Sequence, residues 1–197
     1  ALAREARVGE AAAAELVFIN GHFEPKLSRT SQLPKGIRVM SLERAFDEEG
    51  AALEDHLGKY AKLEKHPFAA INTGFLREGA FVHVGKGAVC EKPIHLVFLS
   101  VPGAAEAMVS HPRVLVIAEE ESECSLVETY AGVNGAFYFT NAVTEIVQGK
   151  NARIDHNKLQ QEGDGAYHTA LMQVNLEASS LFVSHSTSIG SRLTRND

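Results

Sequence analysis

The chain has 197 residues, 45% of them apolar, with a formal net charge of -6 and a pI near 5.9. That is enough for one sizeable core, with or without a small appendage, and the acidic balance opposes non-specific attraction to nucleic acid or anionic membrane. Apolar windows such as His95-Leu96-Val97-Phe98-Leu99 fall far short of the roughly 20 residues of a membrane helix and no charged-then-apolar leader opens the chain, so a cytoplasmic protein is expected.

The composition of Ala1 to Ala14, rich in Ala, Glu and Arg, favours a helix. Leu16-Val17-Phe18-Ile19 is an apolar run closed by the turn dipeptide Asn20-Gly21, with His22-Phe23 beyond it, which predicts a small hairpin. Leu33-Pro34-Lys35-Gly36 reads as a turn and Ile37 to Met40 as a strand, after which Ser41 is placed to cap a helix starting at Leu42 and interrupted at Gly50. Leu53, His56, Leu57, Tyr60, Ala61 and Leu63 recur at helical spacing up to Pro67, and Pro67 itself can open a short helix through Phe75. Residues 1–78 thus form a mixed α/β segment without repetition.

From residue 79 to 197 the helical spacing disappears, and Val-, Ile-, Thr-, Phe- and Tyr-rich runs alternate with small polar clusters. Four clusters resemble one another: Gly85-Lys86-Gly87-Ala88, Glu120-Glu121-Ser122-Glu123, Gly149-Lys150-Asn151-Ala152 and Glu177-Ala178-Ser179-Ser180. Their starts at 85, 120, 149 and 177 lie 35, 29 and 28 residues apart. A near-constant period of this size marks a repeat architecture in which each unit buries its apolar face against its neighbours. The longer first interval holds a polar insertion, Pro102 to Pro112, expected as a surface loop. The inward column is imperfect, since Lys92, Val127, His156 and Ser184 follow the cluster starts by seven residues, so one-residue shifts are required. The strands Ala142 to Val147 and Leu171 to Leu176 alternate as half-buried strands should. The fold class expected is mainly β, a parallel β-solenoid, with a jelly roll as the competing architecture.

Specific stretches carry a resemblance. They are Gly79 to Gly87 (GAFVHVGKG), Glu91 to Leu96 (EKPIHL), Tyr138 to Ile146 (YFTNAVTEI), Asp155 to Glu162 (DHNKLQQE), Ser184-His185-Ser186, and Arg192 to Asp197. Together they resemble the SufB/SufD family of iron–sulfur cluster assembly proteins, SufD above all, from about Val17 to the last residue. The resemblance implies a right-handed parallel β-helix acting as a non-catalytic scaffold, SufB and SufC homologues as partners (SufC being an ATPase), and an iron–sulfur cluster held transiently in the full complex. A SufB-like chain would be expected to end a Leu-Glu-Gly-Cys stretch on a cysteine in the second repeat, where this chain has Val127-Glu128-Thr129-Tyr130. The family's SufC-contacting helices and a late Cys-Ser-His segment of SufD would lie beyond Asp197, so the chain is expected to be truncated within the repeat. A further strand would pair with the open rung, which makes a homodimer conceivable.

The residue-level chemistry points the same way. His83, His95, His156, His168 and His185 lie on successive units, but a strict register sends His156 and His185 to opposite faces, against a shared metal site. Cys90 and Cys124 match no C-x-x-C pattern and read as buried structural residues. Gly85-Lys86-Gly87 is too short for a phosphate loop and reads as a turn, and Glu119-Glu120-Glu121 as a solvated corner. Lys158, Gln160, Gln161 and Glu162 read as a polar face of one unit. A carbohydrate-active β-helix enzyme is the alternative; it needs carboxylates and a basic residue on one face, whereas Asp155 and Arg153 are neighbours but Glu128, Glu145 and Glu177 occupy other offsets. No catalytic, cofactor-binding or metal residue is assigned.

Overall fold

The structure, a computed structural model, describes residues 2–30, 33–101 and 107–197. Two mostly parallel sheets stack face to face. One runs in the order β12 (Leu181–Gly190), β10 (Arg153–Glu162), β8 (Glu123–Gly132), β5 (Val89–Ser100), β1 (Ala14–Ile19) and β2 (His22–Phe23). The other runs β13 (Leu193–Asn196), β11 (Ala166–Leu176), β9 (Tyr138–Gln148), β7 (Arg113–Ala118), β4 (Gly79–Val84) and β3 (Ile37–Ser41). The chain crosses from the second sheet to the first and back, which makes a parallel β-solenoid of about four turns. Residues 79–197 supply these turns, while β1 joins β5 in parallel and β3 joins β4 antiparallel.

The four polar clusters are the corners that carry β4 to β5, β7 to β8, β9 to β10 and β11 to β12. Each corner places one residue in the left-handed region: Gly87 (φ 66°), Glu121 (60°), Asn151 (59°) and Ser179 (60°). The corners also hydrogen-bond along the stack, Gly87 N–H to Glu120 C=O, Glu121 N–H to Lys150 C=O and Asn151 N–H to Ala178 C=O. The second corner therefore begins at Glu119, one residue earlier than the sequence pattern suggests. With that correction Leu126, His156 and Ser184 form one in-register column. The first unit departs because β5 bulges between Cys90 and Ile94, so that Ile94 rather than Lys92 meets Leu126.

Inside, the early turns are apolar. Leu16 lies beside Leu96, and Phe18, Phe98 and Tyr130 stack in one column with centroids 5.0 and 4.9 Å apart; each such pair contributes about 0.5–1.5 kcal/mol beyond its buried area. Val82, Val114, Val116 and Ile146 face them from the opposite sheet. The outer faces are covered as well, by Leu42, Ala45 and Leu53 against Phe81 and Leu115, and by Ala61 and Ala69 against Val143 and Leu171. That cover explains why β9 is buried on nearly every residue instead of alternating.

Before residue 79 several expectations hold. Asn20-Gly21 closes the β1–β2 hairpin, the Ser41 hydroxyl accepts from Arg44 N–H at the start of α2 (Leu42–Glu48), and Pro67 opens α4 (Pro67–Gly74). The N-terminal helix is a correction, since α1 covers only Leu2–Glu5. Gly9, at φ 58°, and the parallel pairing of β1 take over the rest. The helix expected through Leu63 is a second one. Here α3 (Gly50–His56) opens at Gly50 and stops at His56, because the backbone N–H groups of Gly58, Tyr60 and Ala61 point instead to the Glu145 carboxylate at 2.8, 2.9 and 3.0 Å. Pro102 to Glu106 of the expected surface loop lie outside the described residues, and β6 (Met108–Ser110) from its far end pairs with β9.

Two buried carboxylates fasten the non-repetitive segment to the solenoid. Glu145 also meets Arg113 Nη2 at 2.6 Å, and Arg113 Nη1 donates to Asn72 Oδ1 and Thr73 Oγ1 on α4, each at 3.1 Å. Burial alone would raise the Glu145 carboxyl, but the Arg113 charge and the three backbone donors outweigh it and hold it below the usual carboxylate range. On the other sheet Glu15 meets Arg7 Nε at 2.5 Å and His95 Nδ1 at 3.1 Å. Burial opposes that charge too; the His95 and Arg7 bonds prevail and bring Glu15 to about 2.

Candidate functional site

The lumen changes character along the stack. The column that reads Leu16 and Leu96 in the early turns continues as Glu128, Lys158 and Ser186, and the column that reads Phe18, Phe98 and Tyr130 continues as Gln160 and Ser188. Facing them from the other sheet are Thr144 on β9, His168 on β11, and Thr194 and Asn196 on β13. Period-two alternation aims all these side chains inward, since Asp155, Asn157 and Gln161 between them point outward.

Two hydrogen-bonded groups result. In the first, Glu128 accepts from Tyr130 Oη at 2.7 Å, from Thr144 Oγ1 at 3.0 Å and from His156 Nε2 at 3.2 Å. The other ring nitrogen, His156 Nδ1, lies 2.9 Å from Ser184 Oγ. In the second, Lys158 Nζ donates to Asn196 Oδ1 at 2.6 Å and to His168 Nε2 at 2.9 Å, which puts the His168 proton on Nδ1, 3.0 Å from Glu162 Oε2. Gln160 Nε2 donates to Glu162 at 2.7 Å and to Thr194 at 2.8 Å. The ring of Tyr130 joins the two groups, with Lys158 Nζ 5.2 Å from its centroid and His168 edge-on to it.

Burial governs the charges here. It would raise Glu128, yet the bond and charge of His156 and the Tyr130 hydroxyl outweigh it, so the carboxyl lies below its ordinary value. Burial pushes Lys158 down to about 8 and lowers His168, and burial with the Glu128 charge raises Tyr130 well above its usual range. A cavity of about 80 Å3 lies among Glu128, His156, Lys158, Ser184 and Asn196. The arrangement holds charge and passes hydrogen bonds from turn to turn. Among the described residues no group of three or more His, Cys, Asp or Glu side chains is set to hold a metal ion.

The remaining histidines lie elsewhere. His83 meets Glu119 at 2.9 Å and His95 meets Glu15 and Thr129, both on outer faces, and His185 is exposed beside Asn157. His156 and His185 do point to opposite faces. Both cysteines are buried in the lumen at its corner end, where Cys90 donates to the Lys92 carbonyl at 3.2 Å. Burial raises the Cys90 thiol and pushes Cys124 up to about 12. Sequence reasoning missed the convergence of Glu128, Tyr130 and Thr144 on Lys158 and His168; the signal available was the every-second-residue polar pattern of β10.

Comparison with known proteins places this solenoid. Residues 101–197 match the family described as "SUF system FeS cluster assembly, SufBD core domain", and residues 5–96 match "SufBD protein N-terminal region". The chain belongs to the SufBD family. It is 30% identical over 196 residues to an iron–sulfur cluster assembly SufBD family protein of Synechocystis, covering 95% of this chain and 43% of the relative. It is 24% identical over 183 residues to the iron–sulfur cluster assembly protein SufD of Escherichia coli (92% and 40%), and 27% identical over 164 residues to SufB of Bacillus subtilis (81% and 34%). The chain thus spans less than half the length of these relatives. The SufBD family is involved in iron–sulfur cluster assembly. No helix among the described residues is long and apolar enough to cross a membrane.

Proposed function

We infer that the chain is part of a SufD-like, non-catalytic scaffold subunit, which pairs with a SufB-type solenoid and couples to a SufC-type ATPase in the cytoplasm. The iron–sulfur cluster is cargo of the assembled complex. The observation that carries this reading is Tyr130. At the position where a SufB-like chain would carry a cysteine, a phenol is locked to Glu128 inside the lumen, and the two thiols the chain does have are buried and held protonated. A thiolate is the form that accepts sulfur or binds iron, so these residues support a geometric role. A rigid stack of ladders fixes a partner's position over a long distance, while a nucleotide cycle elsewhere supplies movement.

Family membership and residue placement both weigh against a carbohydrate-active enzyme. Glu128 faces the lumen, Glu145 is bound to Arg113 beneath the helices, Asp155 and Arg153 lie on the outer face and Glu177 on a corner. The test is affinity purification of the full-length protein co-expressed with its SufB and SufC homologues. A stoichiometric three-component complex is expected, with unchanged composition in Tyr130→Phe. Purification of the full-length protein free of both partners would refute the scaffold role.

A further inference from the structure

Cys90 and Cys124 sit at equivalent places, each three residues past the left-handed corner residue, Gly87 or Glu121. They are in-register partners on the adjacent parallel strands β5 and β8, and both point into the lumen. Adjacent parallel strands set in-register Cα atoms about 4.8 Å apart, inside the roughly 4.4–6.8 Å span of disulfides. The Cβ vectors of in-register neighbours run side by side, so their Cβ atoms start about as far apart as the Cα atoms and must draw closer, to roughly 3.5–4.5 Å, for a bond to form. In most of a solenoid the ladder would resist that movement. Here β5 and β8 lose register immediately after Cys90, and the ladder resumes only at Ile94 with Leu126. The bulge leaves the Cys90 strand free to approach.

We propose that Cys90 and Cys124 form a reversible cross-turn disulfide, a redox staple between the first two full turns of the solenoid. This goes beyond the scaffold reading and does not depend on it. Among the described residues Cys90 lines a cleft of about 430 Å3 with Ala13, Arg29, Val89, Glu91 and Lys92, whereas Cys124 does not line it. Cys90 is therefore the attacking thiol and Cys124 the resolving one. Arg29 and Lys92, both bonded to backbone carbonyls, and Glu91 leave the cleft with one net positive charge, and the oxidant is a small disulfide such as oxidised glutathione. Cys90, deprotonated, attacks one glutathione sulfur; the glutathione disulfide breaks, one glutathione leaves as thiolate and takes up a proton. Cys124, deprotonated in turn, attacks Cys90 Sγ of the mixed disulfide and expels the second glutathione. Two protein thiols are oxidised, and one glutathione disulfide is reduced to two glutathione thiols. Protonated buried thiols make the reaction slow, and the strained geometry makes the product easily reduced.

The test uses the reduced full-length protein. It is incubated with oxidised glutathione at mildly alkaline pH, quenched with acid, alkylated after denaturation and mapped by mass spectrometry. Cys90 and Cys124 are expected to lose alkylation together and to appear as one cross-linked peptide pair, lighter by two hydrogens and carrying no glutathione; mild reductant restores both thiols. Cys124→Ala should stop at one glutathione retained on Cys90, and Cys90→Ala should leave Cys124 unmodified. The wild-type result alone decides the matter if a variant fails to fold. Two thiols still free in the oxidised wild type, a stable glutathione adduct on its Cys90, or a bond from either residue to another cysteine would each overturn the proposal.

Discussion

Replacing Arg113 by Met removes the cation of the Arg113–Glu145 pair while keeping much of the side-chain volume. Arg113 and Glu145 are 1% and 0% exposed, so solvent cannot take over the lost partner. The change deletes the 2.6 Å bond to Glu145 and the two 3.1 Å bonds to Asn72 and Thr73, and leaves a carboxylate satisfied only by the N–H groups of Gly58, Tyr60 and Ala61. Breaking a buried pair from one side costs about 3–5 kcal/mol; because Glu145 keeps three donors, the lower end, about 3–4 kcal/mol, is expected. At roughly 2–4 °C per kcal/mol for a chain of this size, the melting temperature should fall by about 6–16 °C. The assay is urea unfolding followed by circular dichroism for Arg113→Met, Glu145→Gln and the double variant. A coupling energy of at least about 1.5 kcal/mol is expected for a close, desolvated pair, together with faster amide exchange at residues 58–61. A coupling below about 0.5 kcal/mol would refute the view that this pair fastens the helices to the solenoid.

Three more predictions follow from single residues. Glu15 lies near 2 when folded against 4.5 otherwise, so its contribution, roughly 3 kcal/mol at 1.36 kcal/mol per pH unit, is complete above pH 4.5 and is lost as pH falls towards 2; Glu15→Gln should flatten the acid limb of a stability–pH curve, and an unchanged limb would contradict it. Lys158 gives a dependence of the same sign in an alkaline window: with its pKa lowered from 10.5 to about 8, the unfolded chain holds the extra proton between those values, so stability should climb with pH across that window and Lys158→Met should remove the climb in urea titrations. A Cβ at Gly79 would lie 1.9 Å from the Arg113 carbonyl oxygen and 2.8 Å from Leu42 Cδ1. Gly79→Ala should therefore cost about 3 kcal/mol, the upper end of the overpacking range, and a wild-type urea midpoint would show that β4 and β7 are not held as closely as described.

The repeat, its corners and the family were legible from the residues alone. A solenoid corner must turn through a left-handed residue, and Gly87, Asn151 and Ser179 stand in the small polar clusters that announce such turns. The spacing of those clusters then bounds the strands between them. The Asn20-Gly21 hairpin and the Ser41 cap were legible for the same reason, since local backbone chemistry sets them. The features that were not legible depend on register and on contacts distant in sequence. A glutamate corner residue, Glu121, gave no sign of its left-handed conformation, which displaced the second turn by one residue. The bulge after Cys90 moved the first column by two more. The helix through Leu63 failed because Glu145, more than eighty residues away, claims the backbone donors that helix would have used. The lumen cluster was hidden too, because whether Glu128, Lys158 and His168 share one space depends on which way each strand faces. A one-residue slip reverses that facing, and the stack of ladders fixes it.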